Sequence, residues 1–119
     1  MSLGAEQEAF TADLVKLISK AQADGYGVRM GEVQRTPEQQ QVYMRAGRSR
    51  TMNSMHLKKC AADLFFVKGG KIATRDEMRP YGDFWESLNT RNRWGGSWRG
   101  NIDAGKSSFV DVPHFERQV

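Results

Sequence analysis

Ser54-Met-His56-Leu-Lys-Lys-Cys60-Ala-Ala-Asp63-Leu-Phe-Phe-Val67 is the stretch that decides the fold of this 119-residue chain. From Cys60 to Val67 it is a short apolar run ended by the turn signal Lys68-Gly-Gly-Lys71, so it reads as a buried strand. One carboxylate, Asp63, interrupts it. A carboxylate among Ala61, Ala62, Leu64, Phe65 and Phe66 is expensive to bury unless it is paired or bound to a metal. His56 stands seven positions earlier, in a polar stretch (48–59) with no clear period that reads as a loop.

Working outward, Ile72-Ala-Thr74 reads as a short return strand after the Gly-Gly turn. Tyr26 to Val33 reads as another strand, with Tyr26, Val28 and Met30 alternating. Before it, Phe10, Leu14, Leu17, Ile18 and Ala21 recur at helical spacing, predicting an amphipathic helix over 5–23 that Gly25 and Gly27 end. Thr36-Pro-Glu-Gln39 is a helix start, with Thr36 as N-cap and Pro37 in the first turn, and that helix runs to Ala46 and stops at Gly47. Pro80 to Leu88 reads as a helix, Asn92 to Ser108 as a loop, and Phe109 to Glu116 as extended chain. The fold class is therefore α+β: helices mostly early, and a small antiparallel sheet later. The length fits a single domain over 1–119.

Composition narrows the function classes. With 39% hydrophobic and 27% charged residues, the chain is a folded globular domain rather than a disordered one. A single cysteine, Cys60, excludes an internal disulfide and any zinc site needing two or more thiolates; in its apolar run it reads as a buried, inert thiol. No apolar run is long enough to span a bilayer, so no membrane insertion is expected. The first residues lack a basic start and an apolar core, so no secretory signal is expected. The net charge of +4 favours anionic partners such as a bacterial wall or nucleic acid. Arg45, Arg48, Arg50, Lys58 and Lys59 form a modest basic cluster, but no nucleic-acid-binding motif accompanies it.

The two histidines carry the chemistry. His114 lies in the last extended segment, Asp111-Val-Pro-His114-Phe-Glu116. In a strand His114 and Glu116 point the same way, whereas Asp111 joins them only through a bend, which Pro113 can supply. Two imidazoles and a carboxylate, His56, His114 and Asp63, make a zinc set that leaves a fourth position for water, the catalytic pattern. A second carboxylate beside that water can act as general base, and Asp111 is the candidate.

Ser54-x-His56-x6-Asp63 resembles the Ser-x-His-x6-Asp signature of the LAS-type zinc peptidases, a family of D-alanyl-D-alanine carboxypeptidases and phage L-alanyl-D-glutamate endopeptidases. Asp111-Val-Pro-His114 resembles their second element, Trp94-Gly-Gly-Ser-Trp98 the segment that precedes it, and Gly31-Glu-Val-Gln-Arg35 the early strand ending in a functional arginine. The similarity spans roughly residues 26–117. It implies a Hedgehog/DD-peptidase-like fold, Zn2+ on His56, Asp63 and His114, and Asp111 as base. It also implies Arg35 at the developing oxyanion and Ser54 hydrogen-bonding the substrate or the metal loop. Trp94 and Trp98 either line the cleft or pack in the core. Gln39 or Gln40 either lines the cleft or lies on a solvated helix face. Glu116 either supports a ligand or pairs with Arg117.

The chain departs from the family at Lys59, where many members carry glycine, and in the polar stretch Arg99 to Val110, which reads as a lid or a substrate-selecting loop. The spacing of Asp103 to His114 makes it a poorer base than Asp111. The resemblance implies hydrolysis of a peptidoglycan stem peptide, with the L-alanyl-D-glutamate endopeptidase preferred. A D-alanyl-D-alanine carboxypeptidase, a non-catalytic wall-binding module on the same scaffold and a nucleic-acid binder are the alternatives. A monomer made in the cytoplasm and delivered to the wall is expected.

Overall fold

The structure, a computed structural model, describes residues 2–47, 54–97 and 110–119. Three helices and five strands organise it: α1 (Leu3–Ala23), β1 (Gly27–Met30), α2 (Pro37–Arg45), β2 (Ala61–Lys68), β3 (Lys71–Ile72), α3 (Arg75–Leu88), β4 (Asn92–Trp94) and β5 (His114–Arg117). A 3-10 turn, Met55–Lys58, precedes β2, and another, Gly95–Ser97, follows β4.

The α+β class stands, with a small antiparallel sheet in the order β1-β2-β5-β4 and β3 paired to β2. Helices and strands follow the expected order, with β4 added between α3 and β5. The apolar segment around Asp63 forms the central strand. β2 pairs with β1 on one edge and with β5 and β3 on the other.

Alternation along β2 divides the molecule into two faces. Ala62, Leu64 and Phe66 are fully buried, whereas Asp63, Phe65 and Val67 are half-buried. The first set packs with Phe115 and Trp94 against Phe10, Leu14, Leu17 and Ala21 of α1 and Met78, Tyr81 and Trp85 of α3. Both helices therefore cover one face of the sheet. Asp63 and its neighbours occupy the other. Cys60 is buried beneath Met55, and burial pushes its thiol pKa up, as an inert cysteine requires.

Helix termini follow their sequence signals. Ser2 caps α1 by accepting from Ala5 N–H (3.1 Å), and Thr36 caps α2 by accepting from Gln39 N–H (3.1 Å). The Lys68–Lys71 turn closes as expected, with Gly69 and Gly70 at φ 59° and 76°.

Five expectations need correction. The third helix begins at Arg75, not at Pro80: Thr74 and Glu77 form a reciprocal capping box that starts it earlier, and Pro80 lies inside. Residues 55–58 form a 3-10 turn within the expected loop, and Asn92–Trp94 is a strand, zipped to β5. β1 stops at Met30. Beyond it Gly31 N–H donates to Asp63 C=O (2.7 Å) while Asp63 N–H donates to Glu32 C=O (3.0 Å), so two residues face one and the ladder bulges. β5 starts only at His114, because residues 111–114 form a turn, closed by His114 N–H donating to Asp111 C=O (3.1 Å).

Candidate metal centre

Three chain segments meet on the face of the sheet opposite α1 and α3. Pairing of β2 with β5 sets Asp63 directly opposite His114, which brings their side chains together on one face. The 3-10 turn before β2, capped by Ser54 Oγ accepting from His56 N–H (3.3 Å), delivers His56 to the same place. His56 Nε2 lies 3.3 Å from Asp63 Oδ1, and His114 Nδ1 lies 3.5 Å from that oxygen. All three donors fall within 4.8 Å of one another. A tetrahedral zinc with bonds of about 2.0 Å separates its ligands by about 3.3 Å, so the two short sides already have that span.

Each imidazole is oriented from behind. His56 Nδ1 donates to Val33 C=O (2.9 Å), which leaves Nε2 turned to Asp63. His114 Nε2 donates to Glu116 Oε1 (2.7 Å), leaving Nδ1 on the Asp63 side. A ring nitrogen tied to a carbonyl or carboxylate is the usual support of a metal-binding histidine. Glu116 thus supports His114; Arg117, its expected alternative partner, bonds Glu6 instead.

Two observations test whether a cation fits. His56 Nε2 and Asp63 Oδ1 are buried and make no hydrogen bond among the described residues, so with Nδ1 as donor the fold leaves two acceptor atoms facing each other at the centre, which a cation would satisfy. The electrostatics also favour positive charge. Burial disfavours the Asp63 carboxylate, but His114 and His56 outweigh it and hold its pKa well below the usual carboxylate range. Burial works against a charged His114, yet Asp63 and Glu116 raise its pKa to about 9. A field that retains a proton there suits a divalent cation, and imidazole nitrogens favour a transition metal over calcium or magnesium.

Asp111 stands beside the cluster, its Oδ2 3.9 Å from His114 Nδ1 and its side chain 33% exposed. Burial pushes its pKa above the usual carboxylate range and Asp63 adds to this, while His114, His56 and Arg35 oppose it. The turn that presents Asp111 is held from below. Asp111 N–H donates to Gly95 C=O (3.1 Å), and Trp94 Nε1 donates to Val112 C=O (2.8 Å). The Gly-Gly pair is steric in origin. A Cβ on Gly95 would lie 2.1 Å from Asp111 C=O, and one on Gly96 would lie 2.1 Å from the Trp94 ring. Trp94 itself is fully buried, so the expectation that it lines the cleft is corrected: its indole packs in the core and braces the turn. Trp98, Asp103 and most of the expected 99–110 loop lie outside the described residues, as do Arg48 and Arg50.

Arg35 is brought to the site by its backbone, whose N–H donates to His56 C=O (3.1 Å), and its guanidinium reaches Ser54 Oγ (3.3 Å). Gln40 is fully buried and accepts from Arg35 Nη1 at 2.6 Å, so it lies neither in the cleft wall nor on a solvated face. Glu32 and Tyr43, which sequence reasoning did not single out, also hold Arg35. Tyr43 follows Gln40 by three positions, so the two share the α2 face that meets Arg35.

No protein-family model matches the chain. It is 34% identical over 105 residues to the L-alanyl-D-glutamate peptidase of Listeria phage A118, a match covering 85% of this chain and 34% of that protein. The chain thus spans about a third of the length of this curated relative. Among solved structures it resembles the Serratia marcescens L-Ala D-Glu endopeptidase ChiX, with a TM-score of 0.64 and 25% identity, covering 90% of this chain and 79% of that one.

Proposed function

We propose, from the premise that this chain belongs to the LAS-type peptidase family, that it is a zinc-dependent enzyme cutting the L-alanyl-D-glutamate bond of peptidoglycan stem peptides. The observation that carries the reading is the convergence of His56, Asp63 and His114 on one sheet face, with Asp111 beside them. The named substrate comes from the phage and Serratia relatives; the geometry supplies the chemistry.

In this reading His56, Asp63 and His114 hold the metal, and residues 1–119 act as one peptidase domain. Zinc, when bound, supplies Lewis acidity at the scissile carbonyl and a water acidified toward neutral pH. Asp111 takes the proton of the attacking water and delivers it to the departing amine. Arg35 holds the carbonyl oxygen as negative charge develops on it, a role suited to a planar, permanently charged group. Ser54 links Arg35 to the His56 turn. The substrate lies in the bacterial wall, so the protein acts there. No described helix is long and apolar enough to cross a membrane.

Digestion of purified wall with mass analysis of the products tests the reading. Zinc-loaded protein should release fragments with new L-alanine carboxyl termini and D-glutamate amino termini. Chelation should abolish them. Asp111→Ala should lower kcat by about 10²–10⁴-fold while zinc stays bound. Released D-alanine would mark a carboxypeptidase instead. No product from folded, zinc-loaded protein on several walls would favour a binding module.

A further inference from the structure

The Arg35 guanidinium is held on several sides before any substrate arrives. Its Nε donates to Glu32 Oε1 in a close ion pair. Its Nη1 donates to Gln40 Oε1 (2.6 Å) and to Ser54 Oγ (3.3 Å). Its Cζ sits 4.6 Å from the centroid of the Tyr43 ring. Tyr43 Oη in turn donates to Glu32 Oε2 (3.0 Å). Arg35, Glu32 and Tyr43 therefore close a ring in which both Glu32 oxygens are engaged. These contacts use Nε and Nη1 and leave Nη2. The Arg35 side chain is only 11% exposed, so its orientation is set by these partners rather than by solvent.

We propose that Glu32, backed by Tyr43, is a positioning residue that fixes the Arg35 guanidinium beside the metal cluster. Glu32 belongs to the bulge opposite Asp63, and Tyr43 to α2. The ring thus ties the orientation of Arg35 to the strand that carries a ligand and to the helix flanking it. A clamp with several partners of this kind removes rotamer freedom from a long side chain before reaction, which is where an oxyanion-binding group gains its effect. α2 buries Gln40 alone, so its attachment runs through this polar network more than through an apolar face. The consequence for rate rests on the peptidase reading; the clamp itself is a property of the free protein.

Two readouts separate these. The first is hydrogen exchange at the Arg35 Nε–H, followed by NMR and assigned by its disappearance in Arg35→Lys. In the wild type it should be protected; in Glu32→Ala exchange should quicken by about tenfold or more, with Glu32→Gln in between. Unchanged exchange in Glu32→Ala overturns the clamp whether or not the protein turns over substrate. The second is kinetics on a stem-peptide substrate. Glu32→Ala should lower kcat by about 10–100-fold with KM within about twofold and zinc content unchanged, and Glu32→Gln should recover part of the loss. In an Arg35→Ala background the same Glu32→Ala change should cost less than about twofold, because its effect passes through Arg35. An equal loss in both backgrounds overturns the proposal. A wild type that cleaves no wall peptide would sink the peptidase reading, while the exchange measurement would still judge the clamp.

Discussion

Lys59 adopts φ 55°, in the left-handed region, between the turn that carries His56 and the strand that carries Asp63. The turn needs that reversal: Cys60 N–H donates to Met55 C=O (3.0 Å), and the chain then enters β2. A left-handed residue with a side chain costs about 1–2 kcal/mol. Glycine there removes that strain but loses about 0.5–1 kcal/mol through its freer unfolded chain. Lys59 is exposed, so no packing is forfeited. Lys59→Gly should therefore raise stability by about 0.5 kcal/mol, read as a higher urea midpoint at unchanged slope; a lower midpoint would show that the lysine side chain contributes more than its strain. This position also shows what single residues disclose. The departure from glycine was visible in the sequence, and the conformation that makes glycine common there was not. His56, Asp63 and His114 stood out because a carboxylate in an apolar run and a rare residue type both demand explanation, and Asp111 stood out through its place three positions before His114. Glu32 and Tyr43 did not, because an acid and a phenol look like solvated residues until the chain folds them onto Arg35.

Elements were legible where their ends carry chemistry and illegible where tertiary contacts set them. α1 and α2 began and ended near their caps and glycines. The apolar residues Phe84, Trp85 and Leu88 disclose only the second half of α3, whereas its start is set by the Thr74–Glu77 capping box. β4 has no strand pattern of its own; Asn92 and Trp94 are extended because β5 pairs with them and because Asn92 Nδ2 donates to Asp13 (3.1 Å) and to Trp85 C=O (3.0 Å). The start of α1 is tied to the end of β5 in the same way. Glu6 accepts from Arg117 Nε (2.6 Å) and from Arg91 Nη2 (2.9 Å). The Arg117 bond, reinforced by Arg91 and against the cost of burial, lowers the Glu6 pKa. A carboxylate with a depressed folded pKa contributes stability above its unfolded pKa and loses it as pH falls through the folded one. Glu6→Gln should therefore melt below the wild type at neutral pH. That gap should close on acidification beneath the ordinary glutamate range, as followed by thermal melts across pH. A gap independent of pH would mean that the charge of Glu6 does not matter to α1 docking.

At the scale of the whole molecule, the candidate metal centre draws on segments distant in the chain: residues 54–63, the turn at 111–114, and the 31–35 segment that supports His56. Strand order was out of reach of the sequence, since alternation along β2 specifies a buried face but not which strands flank it. Pairing of β2 with β5 closes the chain between Asp63 and His114, and that long-range contact makes the site inseparable from the fold. A ligand that binds only the assembled site stabilises the native state by mass action, by about 2.7 kcal/mol at a free concentration 100 times its Kd. For a domain of this size that corresponds to a rise in Tm of roughly 10 °C. Titrating zinc into metal-stripped protein should raise Tm by this order, and a chelator should reverse it. Asp63→Ala should abolish the rise, since it removes the shared oxygen that both imidazoles face. Asp111→Ala should retain most of it, because in the proposed arrangement that carboxylate acts on the substrate side and not as a ligand. The two variants together decide the assignment. A zinc-dependent rise that survives Asp63→Ala would place the ion elsewhere, and one lost with Asp111→Ala would make Asp111 a ligand rather than the base.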